Sequence, residues 1–301
     1  MNLIQLHDSK IAEHVRTFIL NQLSPQTQRA YHADLRQFFE AVSVPSVEAV
    51  TAEMVVLYRM QLKGVYKVAT VNRKLAALKG MFQYLRSVNA ISVDPTEFVK
   101  LYPQDDNSNT AALTDNEVVN LLEAVDVTTD AGRLHHAVLS VFLYLGLRGS
   151  ELRRLTNGDL VGNTLSIIGK GERRRILPVP DSVMYSVERY TRARSTVLQN
   201  QNEATPLFTA SNSDGSKSLS HETITKMIQR YAKLAGITTK ISPHSLRATA
   251  VSNALENKAT TIQVQYMGGW QSPAMVARYD KRRQILKNSA VFSVHYKGDP
   301  K

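Results

Sequence analysis

The sequence predicts a mainly α-helical chain carrying one small β-hairpin sheet, an α+β class in which a helical amino-terminal domain precedes a mixed domain. Three observations predict it. Apolar residues recur at helical spacing through most of the chain, strand-like segments are confined to 164–179, and turn-forming residues interrupt the pattern at 102–110. A length of 301 residues leaves room for two cores. The expected boundaries are 1–104 and 105–301.

Taken in order, residues from Ser9 to about Asn89 read as helices separated by turns. Ser24-Pro25 supplies a cap and a proline at the first helical position, after which Leu35, Phe38, Phe39 and Val42 share a face. Between Val68 and Val88, a stripe of Val71, Leu75, Leu78, Phe82 and Leu85 lies opposite Lys67, Arg73, Lys74, Lys79 and Arg86. That charged face reads either as a solvated helix surface or as a grip for a polyanion. Asp94-Pro95 and the run from Tyr102 to Thr110 then mark an interdomain linker.

The second domain opens on the capping box Thr114-Asp115-Asn116-Glu117, followed by inward-facing Val118, Leu121, Leu122 and Val125. Val138–Leu147 reads as a buried helix, and Gly149–Leu155 as a short one. Thr164–Ile168 and Arg173–Val179 form a hairpin around Gly169-Lys170-Gly171-Glu172. The remainder is helical, with Ser242-Pro243 and Ser272-Pro273 as two similar helix starts.

Charge narrows the partner. Thirty-seven basic against 26 acidic residues give +11, divided as +4 before the linker and +7 after it. Two basic modules suit a chain that grips one nucleic acid with both, because each cation that neutralises a phosphate releases a counterion. The chain has no cysteine, which excludes disulfides, cysteine zinc sites, iron–sulfur clusters and a thiol nucleophile, and fits a reducing cytoplasm. The apolar run 138–147 is too short to span a bilayer, and the first residues show no signal-peptide pattern.

Chemistry concentrates at a few positions. A helix beginning at Ser242 places His244 and Arg247 on one face of its first turn, a favourable site for an anion. Arg148 follows a deeply apolar helix, where a guanidinium needs an anionic partner, and Glu151 lies one turn on. Lys170 occupies the hairpin tip. Trp270, the only tryptophan, ends the run Met267-Gly268-Gly269-Trp270. Tyr279 shares a stripe with Met275, Val276 and Leu286, which suits a core tyrosine, yet Arg278, Lys281, Arg282 and Arg283 surround it and favour phosphate approach. Gly169-Lys170 lacks the spacing of a Walker A loop, and His221-Glu222 lacks the second histidine of a zinc helix, since position 225 is Thr225.

The ordered set Arg148, Lys170, His244-x-x-Arg247, Trp270 and Tyr279 resembles the tyrosine recombinase (phage integrase) family. The likeness runs through nearly the whole chain: Ser24, Thr27, Tyr31, Asp34-Leu35-Arg36 and Phe38, then Ala112-Leu113-Thr114, GLRGSEL, GKGERRR, SPHSLRAT and the final MGGW and tyrosine. Most members carry histidine where this chain has Trp270; tryptophan occurs there in Cre-like members, and its indole N–H still donates to phosphate.

The resemblance implies a SAM-like core-binding domain (1–104) and a catalytic domain (105–301) closing as a C-shaped clamp on double-stranded DNA. It implies a dimer on each pair of inverted half-sites and a homotetramer on paired sites, with the tail from about 284 docking into a neighbouring protomer or packing in cis. Tyr279 would attack the scissile phosphate and form a 3′-phosphotyrosyl bond, with no metal, ATP or other cofactor. Arg148 and Arg247 would clamp the non-bridging oxygens, Lys170 would protonate the leaving 5′-oxygen, His244 would accept the tyrosine proton, Trp270 would position the phosphate, and Glu151 would hold the arginine geometry. Lys67, Arg73 and Lys74 in the first domain, with Arg230 and Lys233 in the second, are the candidates for DNA contact. A type IB topoisomerase-like enzyme, a hairpin-forming resolvase and a catalytically silent DNA-binding regulator share much of this pattern and stay open.

Overall fold

The computed structural model describes residues 9–103, 111–169, 171–195, 202–210 and 214–280. The chain divides into two compact units, Met1–Asp105 and Asp106–Lys301. The linker residues 104–110, Lys170, the cations at 281–283 and the tail all lie outside the described residues, as does the side chain of Arg278.

The first unit holds α1 (Ser9–Leu20), α2 (Pro25–Val42), α3 (Ala52–Val65) and α4 (Val68–Ser87). Helix α4 packs against the other three, and the stripe read from the sequence is its buried face: Val71, Leu75, Phe82 and Leu85 have no exposed surface. Phe38 of α2 meets Tyr58 and Phe82 edge-on, at 5.1 and 6.5 Å between ring centres. Each fully buried side chain of this size contributes roughly 1.5–3 kcal/mol of transfer free energy.

The opposite face of α4 is only in part a solvated row: Arg73 and Arg86 stay exposed, while Lys74 and Lys79 turn inward. Lys74 is buried; its ammonium donates to Asp34 Oδ1 at 2.9 Å and to Gln37 Oε1 at 2.6 Å, and lies 5.1 Å from the centre of the Tyr66 ring. Lys74, expected to contact DNA, is thus held on a buried carboxylate inside the fold. Arg73 pairs with the second Asp34 oxygen while keeping about two-fifths of its side chain exposed. Lys79 turns back to donate to the carbonyls of Thr96 and Val99. Lys67, which precedes α4, is exposed.

The second unit opens with α5 (Asp115–Glu123), where Thr114 and Glu117 form the reciprocal capping box. Helix α6 (Asp130–Leu145) is central, packing on α8 (Asp181–Ser195) and α10 (Pro243–Glu256) with Val138, Leu139, Phe142 and Leu145 inside. Between α6 and α8 come α7 (Gly149–Arg154) and an antiparallel sheet of β1 (Leu160–Val161), β2 (Thr164–Ile168) and β3 (Arg174–Pro178), in that spatial order. The two-residue β1 adds a third strand to the expected hairpin. After α9 (His221–Leu234), helices α10, α11 (Thr261–Gly268) and α12 (Pro273–Asp280) share a smaller core of Val251, Leu255, Val264, Trp270 and Val276.

Replacing Asp34 by alanine strands the buried Lys74 ammonium. We expect a loss of about 3–5 kcal/mol in equilibrium urea unfolding of the full chain; a loss below about 1 kcal/mol would instead match a solvent-exposed pair.

Candidate active site

Helix α6 ends at Gly146, whose left-handed backbone (φ 60°, ψ 35°) reverses the chain and directs Leu147 into the core. Arg148 then serves as the N-cap of α7. Its backbone N–H donates to Glu151 Oε2 at 2.8 Å, and its Nη1 donates to Glu151 Oε1 at 2.7 Å. About a third of the Arg148 side chain is exposed, and Nη2 has only a long, 3.4 Å contact with the Gly269 carbonyl. A donor pair therefore faces outward from an anchored guanidinium.

Glu151 is almost wholly buried. Besides Arg148 it receives a fork from Arg175 of β3: Nη1 to Oε1 at 3.0 Å and Nη2 to Oε2 at 2.9 Å. Burial pushes its carboxyl up, but the bonds from Arg175 and from the Arg148 backbone outweigh that and hold it below the usual glutamate value. Arg175 also donates through Nε to the Met267 carbonyl at 3.1 Å. In the sequence Arg175 reads only as a hairpin residue. Its signal was the period of two that sets it on the same face as buried Leu177, where a charge requires a partner.

Arg247 comes from the second turn of α10, whose start is fixed by Ser242 and Ser245 bonding reciprocally. It is buried, donating Nη1 to the Gly146 carbonyl at 2.7 Å and Nη2 to the Gly268 carbonyl at 2.6 Å. Its Nη1 lies 3.9 Å from Glu151 Oε2, and its guanidinium carbon sits 4.3 Å from the centre of the Trp270 ring. Burial, then repulsion from Arg148, lower its pKa to about 10, with Glu151 and the Tyr279 hydroxyl acting in the opposite sense. It stays cationic at neutral pH.

Tyr279 packs on this group from α12. Its ring centre is 5.2 Å from that of Trp270 and 6.1 Å from that of His244. It is half-buried at the rim of the small core, so the core reading and the chemical reading of this tyrosine meet in one placement. His244 stands exposed in the first turn of α10, and its imidazole is held below the ordinary value, first by partial burial and then by the Arg247 and Arg148 cations.

The Gly268-Gly269 pair is explained by what surrounds it. A Cβ on Gly268 would fall 2.0 Å from the Trp270 ring, and one on Gly269, whose φ is 59°, would fall 2.8 Å from Arg175 Nη1. The chain must approach both side chains with bare backbone. On the hairpin, Tyr266 of α11 donates its hydroxyl to the Ile176 carbonyl and accepts from the Ile176 N–H, at 3.1 and 3.3 Å. An open cleft runs past Arg148, Arg173, Arg174, Tyr266 and Trp270.

The structure thus gathers Arg148, Glu151, His244, Arg247, Trp270 and Tyr279 into one cluster. Arg230 and Lys233 are exposed on α9, with Arg230 5.7 Å from the centre of the Tyr231 ring. No group of three His, Asp or Glu side chains among the described residues is placed to hold a metal ion.

Residues 111–284 match the phage integrase family, and residues 16–89 match the phage integrase N-terminal SAM-like domain. The chain is 30% identical over 252 residues to the tyrosine recombinase XerD of Pseudomonas putida, covering 82% of this chain and 83% of that one. It is 27% identical over 281 residues to the tyrosine recombinase XerC of Pelobacter propionicus, covering 89% and 90%. Similar folds include a XerH site-specific recombinase in a post-cleavage complex with a palindromic difH substrate (TM-score 0.73, 18% identity, 96% of this chain and 91% of that one). A lambda integrase dimer bound to a COC′ core site gives a TM-score of 0.72 at 15% identity, covering 92% and 96%.

Since Trp270 is the only tryptophan, its emission reports on this cluster. Replacing Gly268 by alanine should drive the indole off the Arg247 guanidinium and red-shift its fluorescence; an unchanged spectrum would show that the backbone yields instead.

Proposed function

The chain belongs to the phage integrase family, and we propose that Tyr279, Arg148, Arg247, His244, Trp270 and Lys170 carry out its reaction. It is a tyrosine-type, site-specific DNA recombinase, an enzyme that breaks and rejoins strands by transesterification. The observation that carries the assignment of residues is the seat of Tyr279, a half-buried phenol packed between the rings of His244 and Trp270 and interacting with the buried Arg247.

In the proposed chemistry the Tyr279 oxygen attacks the scissile phosphorus and the 5′-oxygen of the next nucleotide leaves. The phenolic proton passes to His244, and Lys170 protonates the leaving oxygen. Arg148 and Arg247 face the charge that grows on the non-bridging oxygens, a contribution of about 3 kcal/mol each if they act as other preorganised donors do. A phenol has a pKa of about 10, far below an aliphatic alcohol, so the phosphotyrosyl bond is readily displaced by an incoming 5′-hydroxyl. One phosphodiester-like bond is exchanged for another at each step, so the sequence of steps needs no ATP.

The proposed substrate is double-stranded DNA with inverted half-sites, bound by a dimer at each site and by a homotetramer on paired sites, the stage at which strands exchange. Support comes from two similar folds, a lambda integrase dimer bound to a core site and a lambda integrase tetramer bound to a Holliday junction. No helix among the described residues is long and apolar enough to cross a membrane; from its action on DNA we infer that the protein works at the nucleoid in the cytoplasm. Exposed Lys67, Arg230 and Lys233, with the outward part of Arg73, are proposed to meet DNA.

On a nicked duplex carrying a site selected from a random-sequence library, Tyr279→Phe should abolish the covalent protein–DNA adduct and leave binding intact; an adduct formed by that variant would move the nucleophile elsewhere. The pH profile has a defined sign. A protonated His244 cannot accept the tyrosine proton, so the second-order rate of adduct formation should fall on acidification, with its midpoint below the ordinary imidazole value of about 6.5. His244→Ala should remove that limb of the profile.

A further inference from the structure

Glu151 has two oxygens and, in the ionised form, about four lone-pair positions. All are taken: Arg148 supplies its backbone N–H and one Nη, and Arg175 supplies both Nη groups. Three guanidinium groups compete for this carboxylate, since Arg247 also stands 3.9 Å away. Arg175 holds the bidentate position, the favoured geometry of a carboxylate and a guanidinium. Arg148 is left with one side-chain bond, and its Nη2 points away with only the 3.4 Å contact to Gly269.

We propose that Arg175 is a positioning residue for strand cleavage: by occupying the Glu151 fork it prevents Arg148 from closing onto that carboxylate and keeps the Arg148 Nη2 group available to the scissile phosphate. The same side chain ties β3 to the Met267 carbonyl, at the end of α11 whose next residue, Gly268, accepts from Arg247. Arg175 is buried and enters the chemistry only through its neighbours. Without it, Glu151 becomes the strongest anion within reach of Arg148, and the guanidinium that should meet DNA is held by its own protein.

The inference rests on the reaction proposed above, and the test separates the two. Adduct formation is timed on two nicked duplexes with the selected site, one with an ordinary scissile phosphodiester and one with a methylphosphonate in its place. The second lacks the negative charge that Arg148 is proposed to neutralise. Arg175→Gln should bind both duplexes as the wild type does, yet cleave the phosphodiester about 100-fold more slowly, while its deficit on the methylphosphonate shrinks to about threefold or less. Adding Glu151→Gln to Arg175→Gln replaces the competing carboxylate by a neutral amide whose oxygen still accepts from Arg148, and should recover part of the lost rate. If Arg175→Gln fails to fold, Arg175→Lys, which keeps the charge but cannot form the fork, should show the same dependence on substrate. Equal slowing on both duplexes, or a double variant no faster than Arg175→Gln, overturns the inference. A wild type that forms no adduct on the phosphodiester overturns the reaction itself.

Discussion

A carboxylate taken out of water must be compensated by bonds from its surroundings, and in this chain nearly everything around the cluster is arranged to provide them for Glu151. Three arginines from three separate elements converge on one acid, leaving an excess of two positive charges. Two unit charges 4 Å apart interact by about 4 kcal/mol at the effective dielectric of a protein surface, so the excess is a standing demand for an anion. A phosphodiester brings one negative charge, and its pentacoordinate transition state gathers a second. The cluster is better balanced against the reacting phosphate than against water.

The position of Arg247 answers a related difficulty. A guanidinium this deep is costly unless its donors meet acceptors. Both named acceptors are glycine carbonyls at helix carboxyl ends, Gly146 after α6 and Gly268 at the end of α11, where unsatisfied carbonyls and the helix dipole concentrate negative potential. The backbone thus stabilises the cation without a second carboxylate, which would cancel the charge that the phosphate is to meet. Trp270 covers the guanidinium with its ring face.

Much of this was legible in the amino-acid order because it is local. The box at Thr114 and Glu117, the Ser242-Pro243 start, the α4 stripe and the 164–179 hairpin each follow from residues a few positions apart. The cluster itself was legible because each member carries its own chemical mark: a cation after an apolar helix, a histidine and an arginine one turn apart, a lone tryptophan, a tyrosine among cations. What escaped was pairing at long sequence distance. Lys74 reads as a surface cation until Asp34, forty residues earlier, is found inside with it. Arg175 and Glu151 lie 24 residues apart with β1 and β2 between them, and only the fold reveals that the strand turns this arginine inward. The two glycines before Trp270 were ambiguous because their reason is the bulk of their spatial neighbours.

The contact between Tyr266 and Ile176 has a consequence for assembly. Strand β3 is the edge of its sheet, and an edge strand offers free N–H and C=O groups to any other chain in extended form. At Ile176 both groups are already taken by one phenolic hydroxyl, which stands in for a neighbouring strand. The opposite edge, β1, is only two residues long. Among the described residues, a strand seeking to pair with β3 therefore finds the central position of that edge already taken, which narrows the room for strand addition between copies of the protein.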